Sequence, residues 1–95
     1  MTEITEDAAP APAGAAITQR LTEYLEERTK TAIAPEHDLF ASGLVSSMFA
    51  MELVVYLERE FGIVIVGADL KMVNFRTVHA MTELVLRLQD GSGGV

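Results

Sequence analysis

Cysteine is absent from the chain, so it can form no disulfide framework and no thiolate metal site. A reducing compartment is allowed, and any thiol chemistry must come from outside the sequence. Long apolar runs are also missing: none approaches the roughly 20 residues needed to span a bilayer. Met1–Asp7 is acidic rather than a basic lead into an apolar stretch. These absences predict a soluble, cytoplasmic protein with no membrane partner. Positive charge is scarce too, with seven Lys and Arg against fourteen Asp and Glu and a formal net charge of -7 at pH 7. Neutralising phosphates requires a basic face, so nucleic acid is excluded and basic protein surfaces become the natural partners. Glu3, Glu6 and Asp7 fall in what reads as a tail, so the folded part is less acidic than the total.

What remains is enough for one small domain. Ninety-five residues, 49% of them hydrophobic, support a single modest core but not a large substrate cavity with its own catalytic machinery. Residues 1–15 mix acids, Ala, Pro and Gly without apolar periodicity and read as a disordered tail. Residues 90–95 are glycine-rich and predict a flexible end, because successive glycines lose much backbone entropy on ordering. The ordered domain is then residues 16–89.

Inside it, Ile17, Leu21, Tyr24, Leu25 and Arg28 share one helical face, and Pro35 sets the limit beyond which that helix cannot continue. A loop over residues 36–46 carries Leu39, Phe40 and Leu44 as anchors to the core, with Gly43 as its sharp bend. A second helix runs from Ser47 to Phe61 with Leu53, Val54, Leu57 and Phe61 as its core stripe, and Gly62 stops it. Ile63–Val66 is too short and solitary to make a sheet and reads as an extended buried linker. Asp69 is placed to cap a short helical turn through Asn74, from which Met72 packs inward. Thr77 caps the last helix, with Val78, Met81, Leu84, Val85 and Leu88 inward and Asp90-Gly91 at its end. The fold class is all-α, a small four-helix bundle of three longer helices and one short one.

Few residues offer chemistry of their own. His37 in a loop and His79 in the last helix lack a Cys nucleophile or a spaced set of ligands, so both read as surface or partly packed residues, and no metal site is drawn. Glu58 and Glu60 diverge on a helix and cannot act together as an acid/base pair. Ser46 and Ser47 are the remaining candidates. Either can be a plain N-cap, and a serine at the first helical position after a glycine-bent loop also projects its hydroxyl where another enzyme can reach it. An anion attached there would lie near unpaired N–H groups and the positive end of the helix dipole.

Asp38-Leu39-Phe40, Gly43, Ser47, Glu52-Leu53, Leu57-Glu58, Glu60-Phe61-Gly62-Ile63 and Asn74-Phe75-Arg76-Thr77-Val78 together resemble the acyl carrier protein family, over residues 17–89. The family's modified serine lies in Asp-Ser-Leu, five residues before Glu-Leu, and that register points to Ser47 rather than Ser46. This chain departs from the pattern with Ser46 in place of Asp and Met48 in place of Leu; Ser46 can still cap as a neutral residue. The stretch from Gly43 to Leu53, with Asn74–Val78, is similar to discrete carriers of natural-product, polyketide-type pathways.

The resemblance implies a non-catalytic carrier bearing 4'-phosphopantetheine on Ser47. Its arm is installed by a phosphopantetheinyl transferase and holds an acyl intermediate or extender unit as a thioester. It also implies an acyl- or aminoacyl-loading enzyme and a downstream synthase or acyltransferase as partners, with the chain itself a monomer. A peptidyl carrier loaded by an adenylating enzyme shares the same serine and is the alternative, and a cofactor-free helical interaction module is a third class. Once the core stripe is assigned, Met48, Met51, Glu52, Val55 and Glu58 remain as the exposed face of the second helix and the predicted partner-binding surface. The element near Asp69–Asn74 is predicted to be the most mobile ordered part.

Overall fold

A computed structural model describes residues 13–94, so residues 1–12 of the expected tail and Val95 lie outside the described residues. The described chain is all-helical: α1 spans Ala13–Thr29, α2 Ser47–Phe61 and α3 Val78–Gly94. The expected short helix is instead two separate 3-10 turns, Gly67–Asp69 and Met72–Phe75. Ion pairs join Arg20 to Glu60 and Arg28 to Glu52, so α1 and α2 run antiparallel. The Thr18 and Thr82 hydroxyls meet at 2.8 Å, and a Cβ on Gly14 would lie 3.3 Å from Leu86, which makes α1 and α3 antiparallel as well. The helix thus begins at Ala13 and not at the expected Ala16, with Gly14 already against α3.

The core forms where the predicted stripes meet. Ile17, Leu21 and Leu25 of α1, Leu53 and Leu57 of α2, and Val78, Met81, Leu84 and Val85 of α3 are buried. Tyr24 and Tyr56 stack at 3.8 Å between α1 and α2, with the Arg28 guanidinium 4.9 Å from the Tyr24 ring centre. Partial burial, and next the neighbouring Glu60, push the Tyr56 hydroxyl up to about 12.

Helices α1 and α2 end by the same device. Lys30 and Gly62 take left-handed conformations, with φ of 56° and 66°. Their N–H groups donate to the carbonyls of Glu26 at 2.8 Å and Glu58 at 3.0 Å. The carboxylates of the same two glutamates then reach past the helix end: Glu26 accepts from the Ile33 N–H and Glu58 from the Ile65 N–H, both at 2.8 Å. Ile33 and Ile65 are buried. Each glutamate therefore satisfies a backbone donor seven residues on, at the point where an isoleucine plugs the core. This is why α1 stops at Thr29, well before Pro35: the chain must turn back to bury Ile33, a core residue that no helical period reveals.

Four further expectations are corrected. Ile63 and Ile65 are buried but Val64 and Val66 point outward, as alternation along extended backbone requires, so only half of that linker is core. Asp69 does not cap the turns; its carboxylate accepts from Arg87 at 2.9 Å, while its carbonyl accepts from the Asn74 side chain. Met72 is 53% exposed because the 3-10 turn directs Phe75, not Met72, into the core. The last helix continues to Gly94 instead of closing at Asp90-Gly91. Extending an existing helix needs no new nucleus, and each glycine costs about 1 kcal/mol relative to Ala without forbidding the conformation.

Removing either helix-ending carboxylate leaves a partly buried N–H without its partner, so Glu26→Ala and Glu58→Ala should each destabilise the fold by about 1–2 kcal/mol. Thermal or urea unfolding checks this. A change within about 0.5 kcal/mol, the usual effect of an exposed substitution, would mean that the two carboxylates are merely solvated.

Candidate functional site

The segment before α2 is tightly folded. Asp38 opens it: one carboxylate oxygen accepts from the Ala41 N–H at 2.8 Å and the other meets Arg76 at 3.2 Å. The Leu39 N–H donates to the Arg76 carbonyl at 2.8 Å, tying the loop to the residues that lead into α3. Gly43 turns the chain with φ of 82°, a conformation that strains any side chain. The Val45 N–H then returns to the Leu39 carbonyl at 3.0 Å. Leu39 and Val45 are both buried, with Phe40 and Leu44 partly buried against the same core. Val45 is a core residue that the sequence pattern does not mark, because a loop has no period to show its inward positions.

Straight after Val45 come the two serines, and the structure gives them different tasks. Ser46 has extended backbone and is the N-cap of α2: its hydroxyl accepts from the Phe49 N–H at 3.1 Å and its carbonyl from the Ala50 N–H at 2.9 Å. Ser47 is the first helical residue and is exposed, and no hydrogen bond holds its hydroxyl among the described residues. The Ser47 and Met48 N–H groups are also without protein partners there, so the same helix end offers free donors. The Asp38 carboxyl is held below the usual carboxylate range, first by the Ala41 N–H, which desolvation opposes, and then by the hydrogen bond and charge of Arg76.

Three hollows lie along α2, two of them at its start. One of about 220 Å³ is lined by Ser47 together with Phe40, Met51, Val54, Lys71 and Phe75. A second, of about 310 Å³, lies beside Ser46, Met48 and Glu52. The largest, about 470 Å³, runs between α1 and α2 past Tyr24, Met51, Val55 and Arg59.

Of the predicted docking residues, Met48, Met51 and Val55 are 81%, 68% and 49% exposed and share a face with Glu52. Glu52 is exposed but ion-paired to Arg28 at 2.9 Å. Glu58 does not join them, because its carboxylate is turned onto the Ile65 N–H. Arg59, four residues beyond Val55, takes that place on the face, and simple helical counting could have found it. His79 lies on the surface between Glu36 at 3.6 Å and Glu83 at 3.1 Å, and His37 is exposed. Among the described residues no three His, Cys, Asp or Glu side chains converge as metal ligands, and no helix is long and apolar enough to cross a membrane.

An exposed hydroxyl at a helix start, free donors around it and an apolar hollow alongside fit the covalent attachment of a phosphate-bearing arm. A family model described as phosphopantetheine attachment site matches residues 18–85, which run from α1 through the two serines into α3. No curated protein matches the chain.

The Asp38 clamp has a definite pH signature. A carboxyl held low in the folded state contributes stability above the unfolded carboxylate range, near 3.9, and loses it as pH falls through the lowered folded value. Asp38→Asn should therefore be less stable than the parent near neutral pH, and the gap should close as pH falls below about 4. Urea midpoints measured from pH 7 to pH 2 test this, and a gap that is independent of pH would rule out the carboxylate as its source.

Proposed function

The chain belongs to the phosphopantetheine-attachment family, and from that premise we propose that Ser47 carries the arm and that the protein holds acyl cargo for a polyketide-type pathway in the cytoplasm. Domains of this family bear 4'-phosphopantetheine covalently, catalyse nothing themselves, and work with a phosphopantetheinyl transferase and with partner enzymes. The bound cofactor supplies a terminal thiol on which cargo is held as a thioester. The protein's residues supply the rest. Ser47 offers the oxygen that becomes the phosphodiester, Ser46 caps the helix so that its start stays ordered, and the free N–H groups there favour the phosphate. The chain has no cysteine, so no internal thiol competes for the activated acyl group.

The observation that carries the assignment to Ser47 is the division of labour between neighbours: the Ser46 hydroxyl is engaged with Phe49 while the Ser47 hydroxyl is exposed and unheld. The polyketide-type reading rests on the likeness of Gly43–Leu53 and Asn74–Val78 to carriers of such pathways. For docking, the geometry favours Met48, Met51, Glu52 and Val55, with Arg59 in place of Glu58. The apolar residues lose water on contact, and the charges set encounter rate and orientation.

Incubation with coenzyme A and a broad transferase should add one arm to the parent and to Ser46→Ala but none to Ser47→Ala, read by intact mass. Ser46→Ala should also lose about 1 kcal/mol of stability with its cap. Modification of Ser47→Ala, with loss in Ser46→Ala, would shift the site by one residue and overturn the assignment. On the docking face, Glu52→Lys should slow loading by the native partner enzyme, most clearly at low salt where screening is weakest. An unchanged rate with the fold intact would move the docking surface elsewhere.

A further inference from the structure

We propose that Lys71 makes the hollow beside Ser47 selective for a short acyl group that ends in a carboxylate. The inference deepens the reading of Ser47 as the attachment site and rests on it. It starts from where the cations are. Arg20, Arg28, Arg76, Arg87 and Lys30 each lie within 4 Å of a carboxylate. Among the described residues Arg59 and Lys71 have no such partner, although the chain holds fourteen acids against seven bases. Each of these two cations is thus available to meet an incoming carboxylate.

The two places differ in what surrounds them. Arg59 shares its hollow with Arg28 and with Glu52, so an acid is already present, and Ser47 does not line it. Lys71 shares its hollow with Ser47 and otherwise with apolar side chains, among them Phe40, Met51, Val54 and Phe75, and no carboxylate lines it. An apolar floor with one cation complements a ligand that is apolar along its length and anionic at one end. The aliphatic stem of lysine can lie along such a floor while its ammonium stays at the wet rim.

Size and tether narrow the ligand further. At roughly 30 Å³ per non-hydrogen atom, the share of volume one water occupies in the liquid, a hollow of about 220 Å³ holds about seven such atoms. That suits a three- or four-carbon acyl group with a terminal carboxylate. Cargo attached through Ser47 reaches the hollow as an intramolecular event, so even a weak contact can be populated. An ion pair to an exposed lysine should then shift the balance of docked and free cargo by roughly two- to fivefold.

The test loads the full chain at Ser47 from malonyl- and propionyl-coenzyme A, which differ by one carboxylate on the same three-carbon frame, with intact mass confirming attachment. Amide spectra are then compared for the parent, Lys71→Met and Lys71→Arg. Malonyl cargo should shift the amides of residues 70–75 and of Met51 beyond the propionyl form, and added salt should reduce the difference. Lys71→Met should lower the docked-to-free ratio roughly two- to fivefold, and Lys71→Arg should restore it. Identical shifts from the two cargoes, or full shifts in Lys71→Met, would overturn the role of Lys71 while leaving the arm on Ser47. Absence of any mass gain at Ser47 would remove the attachment reading and this inference with it.

Discussion

Leu39 is the residue on which the position of the exposed serine depends. It is completely buried, its N–H donates to the Arg76 carbonyl, and its carbonyl accepts from the Val45 N–H. Both backbone polar groups of a core residue are thereby spent on fixing two other segments, the approach to α3 and the last residue before the serines. A serine that must meet other proteins cannot be held by burying it. Its neighbours are buried instead, and the hydroxyl keeps its freedom because Val45, two positions earlier, has none. The Asp38 and Arg76 pair reinforces the same joint from outside, where solvent makes the ion pair weak and its geometry matters more than its energy.

The paired helix endings serve the same economy. A small all-helical domain has long connections, and each must bring something to the core or remain loose. Glu26 and Glu58 make this possible by satisfying the N–H of the isoleucine that each connection buries. Without that bond, burying Ile33 or Ile65 would strand a backbone donor in an apolar setting, and the gain from the side chain would be largely offset. The two motifs share their spacing, from glutamate to left-handed residue to isoleucine, although one uses lysine and the other glycine at the turn. Lysine in that conformation is strained relative to glycine, so the first ending is held by its bonds more than by its sequence.

How much of this was legible beforehand follows from the physics of each feature. The faces of the helices could be read because their apolar residues repeat with the helical period, and Leu21, Leu25, Leu53, Leu57, Met81 and Val85 are buried as that period requires. Gly43 and Gly62 could be read because few other residues accept a positive φ cheaply. Ile33 and Val45 could not, since inward positions in a connection are set by distant partners. Glu58 shows a different limit of the pattern. Helical spacing says where a side chain begins, but a glutamate's carboxylate lies several bonds further out, and here it ends over the linker and not on the outer face. The choice between Ser46 and Ser47 rested on family resemblance, and the cap geometry now supplies a physical ground for the same preference.

Taking Glu58 out of the outer face changes the character of the proposed docking surface. With that acid turned inward and Glu52 paired to Arg28, the face is not an acidic strip, and its far end carries Arg59. A partner that offered only positive charge would be attracted at one end and repelled at the other. A partner with a base toward Glu52 and an acid toward Arg59 would be oriented along α2, and because like charges would meet in the reverse orientation, that alternative is disfavoured. The exposed Arg28 and Glu52 pair is weak enough to be exchanged for an intermolecular one. Met48, Met51 and Val55 lie between the two charges and supply apolar contact without selecting a direction. Orientation matters more for a carrier than for a simple binder, because the helix start must face the partner's pocket for a tethered group to enter it. The proposed face can therefore combine weak affinity with a defined direction, which is the combination required of a protein that must release one enzyme to visit the next.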